Sequence, residues 1–295
     1  GEGHAYAIPF TGSGTDASIQ SLTQDDLRAW TRDYVRPDNA RILVAGDTTL
    51  KAIVARLDAV FGDWKVPEAT PPKKNLAEVA LPKQPRVFLM DRPGAKQTLI
   101  LAGSVAPSTK AKNNLEIQTM NGAFGGSFTS RLNMNLREDK HWAYGAGSFL
   151  SNALGQRPFM MYAPVQTDKT AESVAEILRE AKDVVGPKPL THEEIEKIKV
   201  GDVRSMPGEY QTTGAVLGAL TSIVLYGRPD DYVQTLKDRI EAQKDADVQA
   251  AAAEIIHPGA LTWVVVGDLK KIEKSVRDLG IGEVRVVDAD GKTLR

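Results

Sequence analysis

The chain has 295 residues, of which 42% are hydrophobic and 25% charged, with a net charge of −1. That length suits two domains, each able to bury a sizeable core, and the balance is that of ordinary globular protein. No basic stripe points to nucleic acid, no apolar run is long enough to span a membrane, and the absence of cysteine excludes disulfides, thiol chemistry and a cysteine zinc site.

The opening Gly1-Glu2-Gly3-His4 has no initiator Met and no signal-peptide pattern, so the chain is expected to begin partway through a longer protein. Thr23 is placed to cap a helix, with Asp26 at its positive end and Leu22 and Leu27 at staple spacing. That helix should run to about Tyr34 and stop before Pro37. Residues 41–45, all apolar after Arg41, read as a buried strand ending at Gly46-Asp47. A further helix should carry Ile53, Leu57, Val60 and Phe61 on one face.

The same succession returns near the far end. A helix over residues 246–256 stops at Pro258, a strand over residues 262–266 ends at Gly267-Asp268, and a helix with Ile272 and Val276 follows. The offset is constant: 258 − 37, 267 − 46 and 268 − 47 all equal 221, and helix phase is expected to follow it. The pattern predicts an internal duplication whose first copy lacks its front. The expected organisation is the truncated end of a first α+β domain over residues 1–66, a Pro-rich linker over 67–85 and a complete second α+β domain over 86–295.

Within the second domain, residues 86–90 and 97–102 read as strands separated by the turn signal Arg92-Pro93-Gly94. Ser108 is expected to cap a helix reaching Phe124, Gly125-Gly126 to break it, and Ser127 to cap a second helix over residues 127–138. Residues 143–151 and 159–165 read as strands joined by a hairpin at Asn152-Ala153-Leu154-Gly155. Ala171, Val174, Leu178, Ala181 and Val185 form a helical stripe, and Thr191-His192-Glu193-Glu194 is a capping box. Hairpins with helices grouped between them predict an α+β fold, a mainly antiparallel sheet packed against helices.

Chemistry-bearing patterns are sparse. The four histidines, His4, His141, His192 and His257, include no pair at i, i+4; Glu196 stands where a second histidine would follow His192. No metal site is expected in this chain. There is no G-x-S-x-G elbow, and the glycine-rich stretch from Gly122 to Ser127 lacks the lysine of a phosphate loop.

One segment stands apart: Gly125-Gly126-Ser127-Phe128-Thr129-Ser130-Arg131-Leu132, followed by Leu136-Arg137-Glu138 and Tyr144. It resembles the second-half signature of the pitrilysin/insulinase family of zinc metallopeptidases. The resemblance continues in Ser21-Leu22-Thr23, Arg36-Pro37-Asp38-Asn39-Ala40, Gly46-Asp47 and Gln166-Thr167-Asp168, in the family's order over nearly the whole chain. It implies the mitochondrial-processing-peptidase-like metallohydrolase fold. It also implies that the zinc motif H-x-x-E-H lies in an N-terminal half or a partner subunit, so that this chain alone is inactive. The family's C-terminal half contributes an Arg and a Tyr seven apart that contact peptide substrate, and Arg137 and Tyr144 match them, 144 − 137 being 7.

Arg137 is expected at a helix end and Tyr144 on the following strand. The residues alone leave another reading open, in which Arg137 pairs with Glu138 or Asp139 and Tyr144 is a half-buried strand residue. Phe128 and Leu132 are expected in the core. The implied partners are a zinc-bearing half or subunit and a peptide substrate, with no nucleic acid and no membrane span. The alternative function is a non-enzymatic scaffold or partner subunit of the same fold. The sequence itself leaves the compartment open, and family resemblance alone suggests the bacterial periplasm or cell envelope.

Overall fold

The computed structural model describes residues 3–7 and 12–295; Gly1 and Glu2 of the opening segment lie outside the described residues. The chain divides into two compact units. One comprises the described residues of Gly1–Ala77 with Pro207–Pro229, the other Glu78–Met206 with Asp230–Arg295. No helix among the described residues is long and apolar enough to cross a membrane.

The larger unit is built on a six-stranded sheet of β1 (Arg86–Asp91), β2 (Gln97–Ala106), β3 (Gly147–Leu150), β4 (Arg157–Gln166), β5 (Thr262–Gly267) and β6 (Glu283–Val287), in the order β3-β4-β2-β5-β1-β6. β2–β4, β2–β5 and β3–β4 pair antiparallel, while β1 pairs parallel with both β5 and β6. The expected α+β class with a mainly antiparallel sheet therefore holds, with a parallel portion at one side. β3 and β4 form the expected hairpin.

β1 and β2 are not neighbours despite the turn signal between them, because β5 inserts there. The turn is instead tied to the end of β5. The Arg92 amide donates to the Gly267 carbonyl at 2.7 Å, and the Gly94 amide to Asp268 Oδ2 at 3.3 Å. The Gly-Asp that ends β5 thus holds two distant segments of chain in register.

Alternation along β4 sends Phe159, Met161, Ala163 and Val165 to the buried side, and β5 does the same with Trp263 and Val265. The helices Asn114–Asn121, Thr170–Val184, Asp245–Ile255 and Leu269–Asp278 supply Ile117, Met120, Val174, Ile177, Ala252, Ile272 and Val276 to the same core. Fully burying one such large aliphatic or Phe side chain stabilises by roughly 1.5–3 kcal/mol. The Thr191 capping box forms as expected: the Thr191 amide donates to Glu194 Oε2 at 2.7 Å, and Glu194 returns its amide to Thr191 Oγ1 at 3.3 Å.

Three expectations need correction. Ser108 caps no helix; its hydroxyl accepts from the Lys110 amide in a turn, and the helix begins at Asn114. The cause is Arg157, buried on β4, whose guanidinium donates to the Pro107 carbonyl at 2.9 Å, Thr109 Oγ1 at 3.2 Å and Asn114 Oδ1 at 2.5 Å. These bonds engage the loop before it can coil. Next, the glycine-rich break is a wide helical turn over Gly122–Gly126, drawn against β3 so closely that a Cβ at Gly125 would overlap Ser148. Finally, the second helix reduces to Arg131–Asn133 with a wide turn over Met134–Asp139, and the Ser127 hydroxyl is buried without capping it.

The smaller unit carries the helices Asp16–Ser21, Gln24–Tyr34, Leu50–Phe61 and Thr213–Tyr226. Thr23 and Asp26 form the expected reciprocal cap. Gln24–Tyr34 and Asp245–Ile255 start and end at the same offset, 245 − 24 and 255 − 34 both being 221, and so do the short turns starting at Pro37 and Pro258. The third helix departs from it: Leu50 and Leu269 differ by 219, since Thr48 and Thr49 separate Asp47 from Leu50 whereas Asp268 directly precedes Leu269, so the expected helix phase at offset 221 is not met.

Residues 41–45 form no strand. A strand needs a ladder partner for its amides and carbonyls, and no pairing reaches this segment among the described residues. Ile42 is 51% and Val44 44% exposed, whereas Trp263 and Val265, their counterparts at offset 221, are buried.

Candidate functional site

The site expected from the sequence lies in the larger unit, where the turn Met134–Asp139 meets the loop before β3. Leu132 and Leu136 anchor this turn in the core. From the outer side, Asn135 Nδ2 donates to Glu176 Oε2 at 2.8 Å and Glu180 Oε1 at 2.7 Å, fastening the turn to the helix Thr170–Val184. Burial pushes the Glu176 carboxyl up, but hydrogen bonds from Arg179 and Asn135 and the Arg179 charge outweigh it, so its pKa is lowered overall.

The chain leaves the turn through His141, which adopts a left-handed conformation with φ of 58°. Its ring Nδ1 lies 3.1 Å from the Arg137 carbonyl, and the Trp142 amide donates to the Leu136 carbonyl at 3.0 Å. Gln166 then secures the exit, its side-chain Nε2 donating to the His141 carbonyl at 3.0 Å and its amide to the Trp142 carbonyl at 2.9 Å.

This path brings Arg137 and Tyr144 together. The guanidinium carbon of Arg137 lies 5.4 Å from the centroid of the Tyr144 ring and 4.5 Å from that of Phe128. Among the described residues the ion pair of Arg137 is with Glu138, Nε to Oε1 at 3.4 Å. Of the alternative reading, the pairing of Arg137 with Glu138 is present, and the guanidinium also lies over the Tyr144 ring. Tyr144 is not the half-buried strand residue of that reading: it sits in the loop before β3 and is 84% exposed. Arg137 sits in the wide turn rather than at the end of a regular helix, with its side chain 30% exposed. Leu132 is in the core as expected, but Phe128 is 62% exposed and lies against Arg137 instead.

An aromatic face attracts a guanidinium without using its N–H groups, so stacking fixes the plane of the fork while leaving hydrogen-bond donors at its edge. With the exposed Tyr144 ring beside it, the cluster can present guanidinium and phenol donors to a carbonyl or carboxylate oxygen. A groove of about 710 Å³, lined by Arg131, Met134, Asn135, Lys140, Arg179 and Lys188 among others, runs along the other side of the turn; Arg137 and Tyr144 do not line it.

The described histidines and acids do not form a set of zinc ligands. Among the described residues no three His, Cys, Asp or Glu side chains converge. His192 Nδ1 lies 3.0 Å from Asp245 Oδ2, and His4 Nε2 lies 3.0 Å from the Ala77 carbonyl.

This fold and signature define a domain of the zinc-peptidase type. A model of the peptidase M16 inactive domain matches residues 21–200, and the chain belongs to that family. An uncharacterized zinc protease of Streptomyces coelicolor is 26% identical over 266 residues, covering 89% of this chain and 57% of that protein. Among solved structures, a peptidase M16 inactive domain from Pseudomonas fluorescens superposes with a TM-score of 0.72 at 19% identity, over 86% of this chain and 60% of that one. A chain of complex III2 from Candida albicans does so with a TM-score of 0.73 at 15% identity, over 92% and 66%. At those identities the structural likeness is one of fold, and the chain spans about half the length of the curated relatives it matches.

Proposed function

We propose that this chain is the zinc-less portion of an M16-type metallopeptidase, closing a peptide chamber opposite a zinc-bearing half or subunit and binding extended peptide through Arg137 and Tyr144. The observation that carries the reading is the juxtaposition of an exposed phenol and a stacked guanidinium from positions seven apart, as the family's signature implies. Hydrolysis of a peptide bond develops negative charge on the carbonyl oxygen, and preorganised donors aimed at that oxygen or at neighbouring carbonyls favour the transition state. Zinc belongs in this reading to the other half, in keeping with the lack of a converging set of three ligand side chains among the described residues.

The shared offset of 221 between Gln24–Tyr34 and Asp245–Ile255 supports internal duplication. On that reading residues 1–66 belong to a first α+β domain, 67–85 are linker and 86–295 belong to a second, with Pro207–Pro229 packing in the same compact unit as the N-terminal segment. A scaffold role draws on the fold shared with a chain of complex III2 from Candida albicans.

Hydrolysis of an extended peptide separates the two. The chain combined with its zinc-bearing half should cleave the peptide in a chelator-sensitive manner, and the chain alone should not. No cleavage by the pair would favour the scaffold; cleavage by this chain alone, persisting with chelator, would contradict both.

A further inference from the structure

Neither ring that flanks Arg137 is held by packing, since Phe128 is 62% and Tyr144 84% exposed. Their placement comes from the backbone beneath them, and one side chain links both stretches. Asn133 is only 3% exposed. Its Nδ2 donates to the Phe128 carbonyl at 2.6 Å, and its Oδ1 accepts from the Ala146 amide, two residues beyond Tyr144, at 3.1 Å. A carboxamide alone among side chains of this size offers a donor and an acceptor on opposite corners. A reversed amide would set oxygen against the Phe128 carbonyl and NH₂ against the Ala146 N–H, so the two partners fix its orientation. Asn133 itself directly precedes the turn Met134–Asp139, which carries Arg137 four residues after it. Three parts of the cluster thus converge on one buried amide.

We propose that Asn133 is a positioning residue that sets the Arg137 guanidinium against the Phe128 and Tyr144 rings, and so aims its N–H edge at the substrate. The proposal rests on the reading of Arg137 and Tyr144 as substrate contacts. Asn133 touches no substrate; it holds the two loops in register. Without the tie the loops drift apart and the preorganised geometry is lost, although the core beneath, with Leu132 and Leu136, remains.

The test compares the wild-type chain with Asn133→Asp, which keeps size and the acceptor for Ala146 but places a carboxylate oxygen against the Phe128 carbonyl. The first readout is the NMR resonance of the Arg137 Nε–H proton, displaced by ring currents from the two aromatic rings. Its displacement should collapse in the variant while circular dichroism shows an intact fold. The second readout is peptide hydrolysis by the chain with its zinc-bearing half, where kcat/KM should fall on the order of 10²-fold. Should Asn133→Asp not fold, Asn133→Ser, smaller and uncharged, is read in the same way. An unchanged resonance in a folded variant overturns the proposal, as does a lost displacement with unchanged hydrolysis. Arg137→Ala tells the two failures apart: if it too leaves hydrolysis unchanged, the substrate-contact reading itself has failed, and if it lowers hydrolysis, only the role of Asn133 has.

Discussion

Arg137 places its guanidinium carbon 5.4 Å from the centre of the Tyr144 ring, across a turn that reverses at His141. An exposed cation–π contact of this kind is worth about 0.5–1 kcal/mol, and the ion pair with Glu138 is of the surface kind that adds little. Arg137→Ala is therefore expected to lower unfolding stability by no more than about 1 kcal/mol in a urea titration. A loss several times larger would show that the residue serves the fold rather than a ligand.

His141 adopts a conformation that side chains with a Cβ avoid. The left-handed region costs a non-glycine residue about 1–2 kcal/mol, against the 0.4–1 kcal/mol by which glycine favours the unfolded chain. His141→Gly should raise stability by roughly 1 kcal/mol, less whatever the contact of its ring with the Arg137 carbonyl contributes. Destabilisation would mean that this contact outweighs the backbone strain.

Arg157 organises the loop ahead of the helix Asn114–Asn121 from a buried position on β4. Replacement by Leu fills part of the space but removes the donors to the Pro107 carbonyl and Asn114 Oδ1, while Thr109 Oγ1 keeps the Ala153 amide. The expected cost is roughly 3 kcal/mol or more, read as a lowered denaturation midpoint. A change within about 0.5 kcal/mol would show that the loop finds other partners.

Acid should weaken the link between Arg131 and Glu194, which are joined by Nε to Oε1 at 2.5 Å and Nη2 to Oε2 at 2.6 Å. Burial pushes the Glu194 carboxyl up, but hydrogen bonds from Arg131 and the Thr191 amide, with the Arg131 charge, bring its pKa below the usual value. A carboxylate whose folded pKa is depressed stabilises fully above its unfolded value, about 4.3, and loses that contribution as pH falls through the folded pKa. The stability gap between wild type and Glu194→Gln should be widest near neutral pH and shrink below about pH 4. A gap that grows on acidification would reverse the sign of the argument.

Where the sequence was legible, the signals were local. Thr23 with Asp26 and Thr191 with Glu194 mark helix starts through their own side-chain bonds, and the run of residues 262–266, apolar after Thr262 and ending at Gly267-Asp268, marks β5. Distant partners were not legible. Residues 41–45 have the pattern of a strand, but pairing is a property of neighbours. Ser108 and Ser127 resemble caps, yet a buried arginine from β4 and a wide turn against β3 redirect the chain at those points. Stretches of i+5 turn, as at Met134–Asp139, leave no distinct apolar period. The family signature singled out Arg137 and Tyr144, whereas Phe128 and Asn133 join the cluster only once the turn is seen in three dimensions.

The exposed segment 41–45 offers a check on the proposed partner. Amides of Ile42 and Val44 should exchange rapidly in the isolated chain and gain protection when the zinc-bearing half is added, if that half supplies pairing strands. Equal exchange in both samples would place the partner elsewhere.

The central claim, that Arg137 meets the substrate, is tested most directly by peptide hydrolysis with the zinc-bearing half and either wild-type chain or Arg137→Ala. The account expects kcat/KM to fall on the order of 10²- to 10³-fold while the fold and its stability are retained. Unchanged kcat/KM in a folded Arg137→Ala chain would contradict it.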